Sequence, residues 1–235
     1  MRVAIIGYGK MGKEIEKILN QRKHIISHIL NSGEDLSLLK SGATDVAIEF
    51  SHPESAFNNI HHCISEGIPI ISGTTGWLDK KEAIDALCMT KEGAFLYASN
   101  FSIGVNLFFE LNKRLASLMA PYDEYQARIH EIHHTSKKDA PSGTAITLAE
   151  GLIEQHHQYN KWELDLDNSH NTLPITAERI KDVPGTHIIK YESDIDEITI
   201  KHVAKSRKGF ALGAVLAAEW IIDKKGIFSM NDVLF

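Results

Sequence analysis

The opening segment, MRVAIIGYGKMGKEIEKILNQ, constrains the fold more than any other stretch of the chain. Val3 to Ile6 form the short apolar run of a buried strand, and Ile15, Ile18 and Leu19 then recur on one side of a helix. Between them stands Gly7-x-Gly9-x-x-Gly12, which succeeds a strand and opens a helix, as dinucleotide binding requires. Gly7 permits a tight turn, Gly9 lets the backbone approach a pyrophosphate, and Gly12 permits close helix–strand packing. A strand–turn–helix unit without a ligand satisfies the same pattern, so the motif needs support from the rest of the chain.

The second strand bears on that need. A dinucleotide fold expects Asp or Glu about 20 residues further on, at the end of this strand, to hold a ribose hydroxyl. The second strand reads as His24 to Leu30, which puts Asn31 and Ser32 there, with the acids Glu34 and Asp35 later in the loop. Asn31 can bond a hydroxyl without repelling a 2′-phosphate, and Lys10 in the glycine loop can help accept a phosphate. NADH and NADPH are not separated by these residues.

Strands and helices then alternate: Val46 to Phe50, a helix Glu54 to Glu66, Ile68 to Ile71, a helix Asp79 to Thr90, and Ala94 to Ala98. This order predicts a parallel sheet, with ligands beyond the carboxyl ends of the strands. Phe50-Ser51, Gly73-Thr74-Thr75 and Ala98-Ser99-Asn100-Phe101 occupy those ends and are candidate walls of one cofactor cleft. The second half changes character. A helix from Ile103 to Met119 leads to a β-branched strand around YQARIHEIHH and a helix from Thr144 to His157. Asn160 to Leu173 reads as a polar loop, then come strands Ile175 to Ile180, Gly185 to Glu192 and Glu197 to Ala204, and a helix Phe210 to Ile222. The fold class is α/β, a Rossmann-like parallel-sheet nucleotide domain with a separate α+β domain.

At 235 residues the chain suits one large domain or two modest ones. A net charge of −6 with interspersed signs gives nucleic acid binding no support. Cys63 and Cys88 have no zinc or redox spacing, which fits a reducing, cytoplasmic setting. No apolar run approaches the ~20 residues of a membrane span.

The chemistry concentrates in His133 to Ala145, HHTSKKDAPSGTA. Ser142 is a good helix N-cap, its hydroxyl accepting from the first-turn amides. Gly143 and Thr144 then open the positive end of a helix dipole, an anion site. Lys137 and Lys138 add positive charge, while His133 and His134 can carry a proton near neutral pH. The segment thus suits a small carboxylate or phosphate that receives a proton. A zinc site competes, using His130, His133 and His134 with Glu131 between them. His130 and His134 have the i, i+4 spacing of a helical metal pair, but the strand character of the run and the lack of a nearby Cys weigh against it.

HHTSKKDAPSGTA resembles the signature of the 4-hydroxy-tetrahydrodipicolinate reductase (dihydrodipicolinate reductase) family of lysine and diaminopimelate biosynthesis. The similarity extends along the chain: VAIIGYGKMG resembles the family's dinucleotide loop, ISGTTGW its second cofactor loop, and ASNFSIGVN the segment where its two domains join. KSRKGFALGAVLAAEWI and GIFSMNDVLF resemble its closing segments. The resemblance implies a nucleotide domain over 1–103 and 210–235, with an inserted domain over 104–209 that binds substrate and builds a homotetramer. It implies hydride transfer from NADH or NADPH to a small cyclic imine dicarboxylate. His133 would be the proton donor, Lys137 a second donor that holds substrate, and His134, Gly143 and Thr144 the dicarboxylate contacts. Gly7, Tyr8, Gly9, Lys10, Met11 and Gly12 would bind the cofactor, with Gly73, Thr74, Thr75, Ala98, Ser99, Asn100 and Phe101; Arg207 and Phe210 would lie near it. Two departures stand out. The family's frequent acid after the second strand is absent, and the glycine loop is one residue shorter than the commoner G-x-x-G-x-M-G form. A non-catalytic nucleotide sensor on the same scaffold, or a zinc protein using His130, His133 and His134, is the alternative.

Overall fold

The computed structural model describes residues 1–31, 34–165 and 171–235. Ser32, expected at the ribose position, lies outside them. The chain divides into two compact units, Met1–Ile103 with Arg207–Phe235, and Gly104–Ser206.

The first unit begins with β1 (Arg2–Ile6), α1 (Lys10–Gln21), β2 (Ile25–Leu30) and β3 (Val46–Glu49). It continues through α2 (Pro53–Ser65), β4 (Ile70–Ser72), α3 (Lys81–Thr90) and β5 (Ala94–Tyr97). Helix α4 (Ile103–Met119) leads into the second unit, which holds β6 (Gln126–His133), α5 (Gly143–Gln155), β7 (Lys161–Leu164), β8 (Thr172–Arg179), β9 (Gly185–Glu192) and β10 (Glu197–Ala204). The chain returns to the first unit with α6 (Lys208–Ile221), β11 (Gly226–Phe228) and α7 (Met230–Leu234).

The first unit is built on a 6-stranded parallel sheet in the order β11-β5-β4-β3-β1-β2. Its central strands, such as VAIE and IIS, are apolar almost throughout because both faces are covered. On one face Ile15 and Leu19 of α1 and Ala214, Ala217 and Ile221 of α6 pack over Val3, Ile5 and Ile48. On the other, Ile60 and Ile64 of α2 and Ile84 and Cys88 of α3 cover Ala4, Ala47 and Ile70. The small residues of α6 matter: a Cβ at Gly213 would stand 1.7 Å from the Phe101 carbonyl oxygen. Strand β11 and helix α7 were not expected from periodicity, being too short to show one.

The second unit has a 5-stranded mixed sheet, β10-β9-β6-β8-β7. β6 runs antiparallel to β9 and parallel to β8, and β9 and β10 are antiparallel. Helices α4 and α5 contribute Phe108, Ala116, Leu148 and Leu152 to the core on its inner face, against Ile129, Ile175, Ile189 and Tyr191. The polar stretch expected as a loop from Asn160 to Leu173 contains a strand instead. Trp162 and Leu164 pack on the core while Lys161 and Glu163 are exposed, and β7 pairs with β8 from Thr172. Alternation over so few residues is hidden by polar surroundings; residues 166–170 lie outside the described part.

Candidate active site

In a parallel sheet all carboxyl ends share one edge, and here that edge gathers the glycine loop and the other strand-end segments. Gly7 has φ +93, and a Cβ there would fall 2.1 Å from the Phe50 carbonyl oxygen, so only glycine fits. A Cβ at Gly12 would lie 2.2 Å from the Gly7 carbonyl oxygen, which explains how closely α1 approaches β1. Around Gly9, the α1 N-cap, nothing lies within 4 Å of a Cβ position, and no side chain caps the helix. A helix N-terminus open to approach and uncapped fits a pyrophosphate. Tyr8 donates its hydroxyl to Glu16. Asn31 stands just past β2 as expected, but the acid thought remote comes back to it. Glu34 accepts from the Asn31 backbone at 2.9 Å and from its side-chain amide at 3.3 Å.

A second carboxylate organises the middle of this edge. Glu49 ends β3 at 0 % exposure. It accepts from the Ser72 hydroxyl at 2.6 Å, the Thr74 hydroxyl at 2.9 Å, the Ser51 amide at 3.0 Å and the Ser51 hydroxyl. No ion pair reaches it among the described residues. Its own carbonyl takes the Gly73 amide at 2.9 Å, so Phe50-Ser51 and Gly73-Thr74 are fixed together. Gly73 lies against the Phe50 ring, and Phe50 packs on Phe101 with ring centroids 5.5 Å apart. Ala98 joins the edge through its amide to the Ser72 carbonyl at 3.2 Å, whereas Phe101 turns inward at 2 % exposure. Arg207 caps the start of α6, where its carbonyl accepts the Phe210 amide at 3.1 Å.

The His segment forms a different cluster in the second unit. Alternation along β6 puts Glu131 and His133 on the buried face with Ala127 and Ile129. The register then sets His187 of β9 beside Glu131, and Arg179 of β8 beside His133. Glu131 is 0 % exposed and both its oxygens lie 3.1 Å from the Ser142 amide. The Arg179 guanidinium donates to Oε1 at 3.1 Å, and Nδ1 of His133 and Nε2 of His187 stand 3.5 and 3.7 Å from Oε2. Ser142 is the N-cap of α5, accepting from the Ala145 amide at 3.2 Å. One carboxylate thus ties the imidazole strand to the helix tip.

This arrangement sets the electrostatics. Burial alone would raise Glu131, but His187, Ser142 and the charge of His133 carry it down to about 2. Burial lowers His133 to about 4, helped by His187, Lys137 and Arg179 and opposed by Glu131. His133 is therefore neutral at pH 7 in this state.

The sequence-expected residues of this segment fall unevenly around that cluster. Lys137 donates to Asp139 at 2.6 Å, and that bond holds the Asp139 carboxyl below its usual range. His134 pairs with the Ser136 hydroxyl at 2.9 Å. Gly143 opens α5 with nothing within 4 Å of a Cβ position, and Thr144 comes next in the first turn. The zinc set of His130, His133 and His134 does not form. An odd separation on a strand puts His130 on the opposite face from His133, where its Nδ1 bonds Thr176 at 2.7 Å. The donor atoms that do gather within 4.8 Å belong to Glu131, His133 and His187, and Arg179 already stands beside that carboxylate as the cation. Arg179 and His187 escape a reading of the sequence because each lies in another strand; the parity of Glu131 with His133 is readable there.

Residues 1–101 match the family model described as dihydrodipicolinate reductase, N-terminus, and residues 104–234 the one described as dihydrodipicolinate reductase, C-terminus. A 4-hydroxy-tetrahydrodipicolinate reductase of Christiangramia forsetii is 51 % identical over 234 residues, covering 100 % of this chain and 98 % of the relative. The protein of that name from Lawsonia intracellularis is 33 % identical over 264 residues, with 100 % and 99 % covered. Among solved structures, the dipicolinate-bound dihydrodipicolinate reductase of Paenisporosarcina sp. TG-14 shares the fold, with a TM-score of 0.76 at 24 % identity over 100 % of this chain and 99 % of that one. The chain belongs to the dihydrodipicolinate reductase family, a family of NAD(P)H-dependent oxidoreductases.

Proposed function

We propose that the chain reduces the cyclic imine dicarboxylate of the 4-hydroxy-tetrahydrodipicolinate reductase reaction, the lysine and diaminopimelate step implied by its resemblance, with His133 as proton donor. The observation that carries this reading is the Glu131–Ser142 bond, which sets a buried imidazole and a capped helix tip around one carboxylate. Once the 4-hydroxyl has left as water the ring is a conjugated imine. NADH or NADPH, when bound, would supply a hydride to its C4, and the enamine that results takes one proton.

Gly143, Thr144, His134 and Lys137 hold the two substrate carboxylates. Lys137 exchanges its Asp139 partner for substrate, and the open backbone at Gly143 admits a carboxylate oxygen. The arriving dianion raises the His133 pKa from about 4, because negative charge nearby favours the protonated imidazole. His133 thus acquires its proton as substrate binds. On the nucleotide side Gly7 to Gly12, Gly73 to Thr75 and Ala98 to Phe101 hold the cofactor, and Glu34 accepts from a ribose hydroxyl.

The test is His133→Ala, with turnover monitored by nicotinamide absorbance with fresh substrate. A fall in kcat of roughly 100-fold or more is expected, with cofactor affinity kept. An intact turnover rate would remove His133 from the mechanism. Lys137→Ala should raise KM as well as lower kcat. A nucleotide sensor would bind NADH and turn nothing over. The second unit's sheet exposes Glu197, Thr199, Lys201 and Val203 along β10, and this open face is the surface for a homotetramer. Light scattering after gel filtration checks that assembly.

A further inference from the structure

We propose that Glu131 is the positioning residue of the proton donor, its carboxylate facing Nδ1 of His133 so that Nε2 carries the proton into space kept clear by Gly185. The inference rests on the reading of His133 as the acid and assigns atoms to it.

Three observations support it. A carboxylate only accepts, so the imidazole nitrogen that faces it at 3.5 Å is best protonated. Which ring nitrogen carries the proton is set by the partner of the other, and that leaves Nε2 as the exchanging atom. Catalytic hydrogen bonds often reach their full strength only with substrate bound, and a 3.5 Å contact is close enough to do so. Second, Glu131 is held from several sides, by Arg179 and the Ser142 amide at 3.1 Å, so it has no freedom to leave His133. Third, a Cβ at Gly185 would stand 3.2 Å from Nε2 of His133, tighter than most real contacts, with Cδ2 next at 3.4 Å. Gly185 does not adopt a left-handed backbone, so the turn does not require glycine there. What it provides is room beside Nε2.

The charged groups facing His133 are Glu131 on its own strand, His187 on β9, Arg179 on β8, and Lys137 from the loop after β6. Glu131 is the one negative group among them. Its removal should therefore make the imidazole harder to protonate as well as loosen its tautomer.

The experiment uses the full-length protein labelled with 15N-histidine, with Glu131→Gln, Glu131→Asp and Gly185→Ala. Wild-type His133 should show the Nδ1–H tautomer. Glu131→Gln should mix the tautomers, shift the imidazole titration to lower pH, and cut kcat roughly 10- to 100-fold while leaving the KM for NADH within about 2-fold. Glu131→Asp should retain the tautomer with a smaller loss, and Gly185→Ala should lower kcat with the tautomer unchanged. A Glu131→Gln protein with wild-type His133 resonances overturns the proposal, whatever its kcat. If Glu131→Gln does not fold, wild-type His133 resonances and full kcat in Glu131→Asp and Gly185→Ala alike have the same force. Turnover retained in His133→Ala would defeat the acid reading alone, since the resonances still report on Glu131.

Discussion

Each unit holds a carboxylate out of water at 0 % exposure, and the two are satisfied by different chemistry. Glu49 sits among hydroxyls and one amide, from Ser51, Ser72 and Thr74, all on neighbouring strand ends of one parallel sheet. Glu131 sits among an arginine, two imidazoles and the amide of a helix cap, gathered from three strands and a loop. Hydroxyls can rotate to new partners when a carboxylate is removed; a guanidinium cannot lose its charge. The first arrangement serves as a clamp between loops. In the second, one anion compensates several cationic or protonatable groups, so that region should be both more fragile and more responsive to protons.

Alanine at the two positions gives the largest contrast. Glu131→Ala leaves Arg179 facing a partly buried site without its partner and should cost about 3 kcal/mol. Glu49→Ala leaves hydroxyls and one amide to find water or each other, about 1–2 kcal/mol. Urea unfolding measures both, and equal losses would end the distinction.

Acid sharpens it next. His133 falls from 6.5 to about 4 on folding, so below pH 6.5 the unfolded chain takes up a proton that the folded chain refuses until about pH 4. Stability is lost across that window, by up to about 3 kcal/mol. His156 and His202, also lowered by burial, act in the same direction. Glu131, lowered from 4.5 to about 2, contributes stability above pH 4.5 that drains as the pH falls toward 2. Replacing His133 with Gln should flatten the stability profile between pH 6.5 and 4. A slope identical to wild type would mean that the imidazole is not held neutral by its surroundings.

The glycines divide the same way between architecture and ligand. Gly12→Ala drives a methyl toward the Gly7 carbonyl oxygen at 2.2 Å and should cost about 1–3 kcal/mol, read as a lower melting temperature. Gly9→Ala meets nothing within 4 Å and should change stability by less than about 0.5 kcal/mol while weakening NADH binding. NADH fluorescence titration decides the second; unchanged affinity would dissociate Gly9 from the cofactor.

Legibility in the sequence depends on how local each feature is. The β1–α1 unit and its glycines are readable because strand, turn and helix are contiguous, each glycine having its own steric reason. Ser142 as a cap is equally local. The Glu131 cluster is not, since Arg179 and His187 reach it only through the pairing of β6 with β8 and β9, and register is a property of the sheet. The parity of Glu131 and His133 is present in the sequence, but the helical spacing of His130 and His134 obscures it. Strand β7 is hidden by its brevity, and Glu34 because its bond to the Asn31 backbone leaves no mark in the sequence.

Glu34 also carries the smallest expected effect. Unlike Glu49 and Glu131 it is exposed, so water and salt screen its charge. Under the proposed ribose contact, a carboxylate there would repel a 2′-phosphate and so favour NADH over NADPH. The repulsion of an exposed charge is worth at most about 1 kcal/mol, so Glu34→Gln should move the ratio of kcat/KM for the two cofactors toward NADPH by roughly 2- to 5-fold. Raising the salt concentration should produce part of that shift in the wild-type protein, because screening and charge removal act on the same interaction. A ratio indifferent to both changes would mean that the ribose lies elsewhere and that Glu34 serves only as the partner of Asn31.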